Sequence, residues 1–181
     1  MDPGAGIRIR AAGDEPELAT ALAEVLIDCV EGGASVSFMW PLPHHQALAF
    51  WQGVIDSARR GERIVLVAED ADSGTVLGTV QLLLATPDNQ PHRADVAKML
   101  VHRRARRRGL GAALMQAAET AARGAGKTLL VLDTVTGGDA ERLYSRLGWQ
   151  RVGVIPGYAL WPNGGACDTT YFYKELTAAQ P

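Results

Sequence analysis

The chain has 181 residues, 47% hydrophobic and 21% charged, a balance that suits one globular domain with a real core and not a disordered segment. No apolar run is long enough to span a bilayer, and two cysteines, Cys29 and Cys167, are too few for a disulfide framework. The formal net charge is −2, yet five arginines lie between Arg103 and Arg108, so the remainder of the chain carries −7; one basic spot on an acidic body suits a compact polyanion better than nucleic acid.

The N-terminus, Met1-Asp2-Pro3-Gly4, lacks a basic region followed by an apolar one, so no signal peptide is expected and a reducing cytoplasm fits. Ile7 and Ile9 alternate with Arg8 and Arg10, the period of a half-buried strand. Asp14-Glu15-Pro16-Glu17 predicts a helix start, with Asp14 as N-cap and Glu17 closing a capping box; Leu18, Leu22, Val25 and Cys29 then share one face, and Gly32-Gly33 ends the helix. A small-residue loop from Gly32 to Met39 leads to a second helix near Pro43, with Ala47, Trp51, Val54, Ile55 and Ala58 on its buried side and Gly61 at its end.

Ile64–Glu69 and Thr75–Leu84 read as two strands of a hairpin around Ala71-Asp72-Ser73-Gly74. Arg93–Val101 is the next strand, and Leu110, Leu114, Ala117 and Ala121 mark the apolar stripe of the helix after it. Leu129–Leu132 is continuously apolar, as a buried parallel strand is, and ends at Asp133. A short helix from Asp139 to Leu147 stops at Gly148. Trp149–Ile155 is predicted as a strand, Pro156-Gly157 as a turn, Tyr158–Cys167 as a loop and Asp168–Leu176 as the final strand, with a frayed tail at Ala178–Pro181. No repeat and no second domain break the chain, so residues 1–181 are expected to form a single domain.

The stretch that carries chemistry is Arg106-Arg107-Arg108-Gly109-Leu110-Gly111, between a strand and a helix. A helix N-terminus offers unpaired backbone N–H groups and the positive end of the helix dipole, and glycines let that backbone approach a phosphate. Guanidinium forks add charge matched to phosphate oxygens. The residues alone leave a solvated basic loop equally open.

This stretch resembles the acyl-CoA loop of the GCN5-related N-acetyltransferase (GNAT) family, with Arg106, Gly109 and Gly111 at the defining positions. Ala140-x-x-Leu143-Tyr144-x-x-Leu147-Gly148-Trp149 is similar to that family's second hallmark. The element order β-α-α-β-β-β-α-β-α-β-β matches as well. Gly32-Gly33-Ala34-Ser35-Val36, Arg93-Ala94-Asp95-Val96 and Ile155-Pro156-Gly157-Tyr158 look like the tabtoxin-resistance subfamily, whose members acetylate a small amino-acid-like toxin.

The resemblance implies a mixed α/β fold, with a central seven-stranded sheet flanked by four helices, and acetyl-CoA as cosubstrate. It implies that backbone groups of Met99, Leu100 and Val101 meet the pantetheine arm where two parallel strands splay, and that Arg106, Arg107, Arg108, Gly109, Leu110 and Gly111 bind the pyrophosphate. Tyr144 would be the general acid, since a phenol stays protonated at neutral pH. Asp95 and Asp133 would be candidate bases for an amine that arrives protonated. Gly33, Ser35, Phe38 and Tyr158 would contact the acceptor. One departure stands out: Gly137 occupies a position where many members carry a CoA-contacting Asn.

The implied function is direct acetyl transfer to a small-molecule amine, with toxin or antibiotic resistance as its context. No metal, nucleic-acid or membrane partner is expected, and a homodimer stays open. Two alternatives stand beside it: a CoA-binding regulatory domain without catalysis, and a nucleic-acid-binding module built on the arginines.

Overall fold

A computed structural model describes residues 6–176; the expectations for Met1–Gly4 and for the tail at Ala178–Pro181 fall outside the described residues. The elements run β1 (Ile7–Ala11), α1 (Leu18–Glu31), α2 (His44–Arg59), β2 (Arg63–Asp70), β3 (Val76–Leu83), β4 (Arg93–Val101), a 3-10 turn (Arg103–Ala105), α3 (Leu110–Gly124), β5 (Leu129–Val135), α4 (Asp139–Arg146), β6 (Gln150–Leu160) and β7 (Ala166–Glu175). They build a mixed α/β fold around one seven-stranded sheet of order β1-β2-β3-β4-β5-β7-β6. Every neighbouring pair is antiparallel except β4 and β5, which α3 connects in the crossover that parallel strands require.

Alternation along the strands divides the interior into two layers. In β2, Leu66 and Ala68 join a core with Leu110, Leu114 and Met115 of α3 and Tyr144 of α4. Val65 and Val67 join the opposite core with Leu22, Leu26 and Cys29 of α1 and Trp51, Val54 and Ile55 of α2. Both faces of the central strands are therefore dry, which is why β2 and β3 read as apolar runs rather than strict alternations.

Three expectations are corrected. Helix α1 begins at Leu18 with Glu17 at its N-cap and no side-chain cap there. The Asp14 carboxylate instead accepts from Arg59 Nε at 2.7 Å, a guanidinium on the last turn of α2 that local pattern cannot foresee. Strand β6 also runs on through Pro156-Gly157 to Leu160. The register shift between Ile155 and Ala159 absorbs the proline, the Gly157 N–H donates to Asp168 Oδ1 at 2.8 Å, and β6 is an edge strand, where a missing donor costs little. Strand β5 extends two residues past Asp133, to Val135.

The approach of β4 to β3 depends on Gly78. A Cβ built there would lie 2.8 Å from the Leu100 carbonyl oxygen and 3.2 Å from Leu114 Cδ1. Backbone and a buried helix side chain cannot both yield, so Gly78→Ala should destabilise the fold by about 1–3 kcal/mol. Denaturant unfolding monitored by circular dichroism checks this; a variant as stable as wild type would show that β4 has slack at this point.

Candidate active site

The ladder between β4 and β5 consists of Arg93↔Leu129, Ala94↔Leu130 and Asp95↔Val131, and then stops. Beyond Asp95 the β5-facing edge of Val96–Val101 has no strand partner. On its other side β4 stays paired to β3, with a register shift between Thr79 and Gln81. The extra residue shows in the packing: Val96 belongs to the α3 core and Leu100, four residues on, to the α1–α2 core. Lys98 sits at this bulge with φ +49°. Where the strands part, a cavity of about 1100 Å³ opens, larger than the roughly 300–1,000 Å³ of ordinary small-ligand sites.

One end of the cavity is the arginine loop. Gly109, at φ +81°, occupies the N-cap of α3 in a left-handed conformation that glycine adopts without strain. Arg107 takes φ +60° beside it. The first amide of this turn to find an acceptor is Ala113, bonded to Gly109 O; those of Arg107 to Ala112 have none among the described residues. Gly111 has a different use from the one expected, since a Cβ there would meet Leu143 Cδ2 at 3.0 Å. Its smallness lets α3 and α4 close together.

The arginines divide into two groups. Arg103 Nε donates to Asp28 Oδ1 at 2.9 Å and its backbone N–H to Asp28 Oδ2 at 2.7 Å, with Glu31 as a further partner. Arg106 Nε donates to the Val101 carbonyl at 3.2 Å, so one backbone group expected to be free is already engaged. Arg106, Arg107 and Arg108 form no ion pair among the described residues. Arg106 and Arg107 line the cavity, while Arg108 does not. Six unpaired amides and two cavity-lining guanidiniums that form no ion pair are a donor set that fits a pyrophosphate.

Tyr144, Asp133 and Lys98 also line the cavity. The Tyr144 ring is 5% exposed and packs 6.0 Å from both Trp149 and Phe172, held by a helix that ends at Gly148 as expected. Its hydroxyl hydrogen-bonds nothing among the described residues. Burial first, and the Asp133 charge second, push this phenol above its ordinary range, so it stays neutral. Asp133 accepts from Thr169 Oγ1 at 2.8 Å through one oxygen. Asp95 lies opposite Val131, so it projects from the same sheet face as Asp133, but it pairs with Arg93 and does not line the cavity. Helix α4 is pinned to β7 by Glu141, which accepts from Thr170 Oγ1 at 3.0 Å and from the Gly137 N–H.

The far end is walled by the two predicted segments, and they touch. Ser35 Oγ donates to the Leu160 carbonyl at 2.7 Å, and Trp40 N–H to the Pro162 carbonyl at 2.9 Å. Gly33, Ser35, Phe38 and Tyr158 all line the cavity. Phe38 packs edge-on against Phe50, with centroids 5.1 Å apart. The Tyr158 and Tyr171 hydroxyls are 3.0 Å apart, and that bond, aided by burial and by Asp133, pushes the Tyr171 phenol up to about 12. Sequence reasoning missed Lys98 and Asp28: a lysine in a strand and an aspartate on an amphipathic helix carry no local signal.

A family model described as the acetyltransferase (GNAT) family matches residues 19–149, most of the chain and all the elements around the cavity except β6 and β7. The chain belongs to the GNAT acetyltransferase family. It is an N-acetyltransferase, and acetyl transfer is its general chemistry. Solved GNAT structures share the fold over nearly the whole length. A GCN5-related N-acetyltransferase from Kribbella flavida is 25% identical, with 95% of this chain and 99% of that one covered and a TM-score of 0.74. An assigned acetyltransferase from Salmonella typhimurium, solved with its cofactor acetyl-CoA, is 22% identical over 97% of each chain, with a TM-score of 0.74. An assigned phosphinothricin N-acetyltransferase is 20% identical over 94% of this chain and 99% of that one, with a TM-score of 0.77. No helix of the described residues is long and apolar enough to cross a membrane, and no group of three or more His, Cys, Asp or Glu among them gathers as metal ligands do.

Asp28 holds the start of the GNAT loop against α1. Burial pushes its carboxyl up, but the bonds from the Arg103 backbone and guanidinium outweigh this and hold it below the usual range. A depressed carboxyl stabilises the fold above its unfolded pKa, near 3.9, and that stability is lost as pH falls through the lower folded value. Asp28→Asn should therefore cost about 1–3 kcal/mol at neutral pH, with the gap to wild type closing below about pH 4. Unfolding curves across that range test it, and a gap independent of pH would remove the charge from the account.

Proposed function

We propose that the protein transfers acetyl from acetyl-CoA to the amine of a small molecule, with an amino-acid-like toxin or antibiotic as the finer form of that acceptor. The observation that carries this is the single cavity, which joins an unpaired amide turn at one end to polar walls at the other and sets Tyr144 and Asp133 between them. Arg106 and Arg107 open onto that cavity, which favours a compact polyanion over a nucleic acid. A shared fold at 20% identity with an assigned phosphinothricin N-acetyltransferase leaves the acceptor to be argued from the cavity.

Acetyl-CoA would supply the activated acetyl thioester. The amides of Arg107–Ala112 would hold its pyrophosphate, with Arg106 and Arg107 adding charge. The free edge of Val96–Leu100 would pair with the amide groups of the pantetheine arm. Asp133 would orient the acceptor ammonium and take its proton, directly or through water, so that the nitrogen lone pair can form the new N–C bond. As the C–S bond breaks, Tyr144 would pass its phenolic proton to the departing sulfur, and the second proton shed by the acylated nitrogen would return to the phenolate, directly or through water. We assign the base to Asp133 over Asp95, because Arg93 already claims the latter.

A screen of small amines with acetyl-CoA, read by thiol release, tests the whole proposal. Tyr144→Phe keeps the ring and its packing and deletes only the proton donor. It should lower kcat by at least roughly tenfold while leaving acetyl-CoA affinity nearly intact. Single-turnover rates equal to wild type would remove Tyr144 from the chemistry. Asp133→Asn should lower kcat/KM for the amine by about 100-fold or more and flatten its rise with pH, whereas Asp95→Asn stays near wild type. The reverse ranking would move the base to Asp95.

A further inference from the structure

The acceptor end of the cavity holds a cation with no counter-ion. Lys98 is half-buried and lines the cavity, and no carboxylate among the described residues lies within ion-pair distance of it. Its Nζ donates to Ser37 Oγ at 3.0 Å and sits 5.8 Å from the centre of the Phe50 ring. An ammonium carries three donors, so two remain for a ligand. Burial pulls its pKa down, Asp133 pushes it back up, and Arg63 pulls it down again. A charge so placed is costly unless something else in the cavity answers it.

Backbone geometry makes the placement specific. Among the described residues, the non-glycine positions with positive φ are Ser37, at +78°, Lys98, at +49°, and Arg107, at +60°. All three line this cavity. Each such conformation costs about 1–3 kcal/mol and persists only where its surroundings enforce it, commonly at ligand clamps. Arg107 belongs to the amide turn. The other two meet each other at the opposite end, through the bond from Nζ to Oγ. The bulge that strains Lys98 also takes it off the regular alternation, and its side chain lines the cavity while reaching Ser37 and the Phe50 ring on the α1–α2 side of the sheet.

Across the opening, Asp133 presents an oxygen not taken by Thr169. A bare ammonium drawn to Asp133 would meet the field of Lys98 and be repelled. An acceptor that also carries a carboxylate would answer both charges. Resting on the proposed acetyl transfer to an amine, we infer that Lys98 binds the carboxylate of the acceptor, so that the substrate class is an amino carboxylate held with its amine toward Asp133. Lys98 is then the residue that sets specificity, with Ser37 holding its ammonium in place.

The test uses matched pairs that differ only in the carboxylate: the proteinogenic α-amino acids against their decarboxylated amines, and ornithine against putrescine, with acetyl-CoA and thiol release as readout. Wild type should favour the carboxylate member by about 10- to 100-fold in kcat/KM, the range of a charge-assisted hydrogen bond. Lys98→Met should erase that preference, mainly by raising KM for the carboxylate member, and Lys98→Arg should keep most of it. The thermal shift given by acetyl-CoA should be unchanged in both variants, which confirms that the fold and the opposite end of the cavity persist. Wild-type turnover without a carboxylate preference overturns the assignment and needs no folded variant. An equal loss on both members in Lys98→Met also overturns it, pointing to a base or a structural role. Absence of turnover on every compound by wild type overturns the amine-acetylation reading itself, a result distinct from either of these.

Discussion

The structure turns on one interruption of hydrogen bonding: the parallel ladder of β4 and β5 ends at Asp95 and Val131, while both strands continue. Unpaired backbone inside a folded chain must find other partners. Pairing to β3 continues on both sides of the bulge at Lys98 and keeps β4 in place while its other edge faces the cavity. The same interruption brings the N-terminus of α3, the side chains at the C-terminal end of β5 and the wall of β6 to one volume. A sheet continuous across this point would leave no room between the basic turn and the walls formed by the Gly32–Met39 loop and β6.

Charge is distributed unevenly along that volume. Arg103 is spent on Asp28 and Glu31, which anchors the loop and leaves Arg106 and Arg107 unpaired at the cavity. Tyr144 is kept neutral by burial and by a nearby carboxylate, a state suited to donating a proton and not to accepting one. Asp133 and Lys98 form no ion pair with each other; a hydroxyl from Thr169 bonds the first and the hydroxyl of Ser37 accepts from the second. A single volume thus presents donors for a polyanion, a proton source, and a separated pair of charges.

Local rules reached far into this chain. The bounds of β4 and the starts of α3 and α4 follow from apolar period and helix-start signals, and Gly148 ends α4 where a C-terminal glycine should. The turn at Arg106-x-x-Gly109-x-Gly111 is local too, since strand, turn and helix are contiguous, but only its resemblance to the GNAT acyl-CoA loop sets it apart from a solvated basic loop. Tyr144 was singled out by resemblance to the family's second hallmark, and the nearness of Trp149 in the chain accounts for one of the rings it packs against.

What the sequence by itself determined is therefore each element, its buried face, and the sites made by neighbours along the chain. Only the tertiary structure decided which distant groups meet. Asp14 looks like a cap until Arg59 arrives from α2, Asp95 and Asp133 look equivalent until Arg93 takes one of them, and Asp28 looks like a surface helix residue until Arg103 folds back onto it. The aim of Lys98 depends on a one-residue bulge that shifts the alternation of β4 without changing its composition. Period and propensity act over a turn of helix or a pair of strand residues. Ion pairs, bulges and cavity walls are settled by contacts between segments far apart in the chain, where the sequence supplies the groups and only the packing supplies the distances.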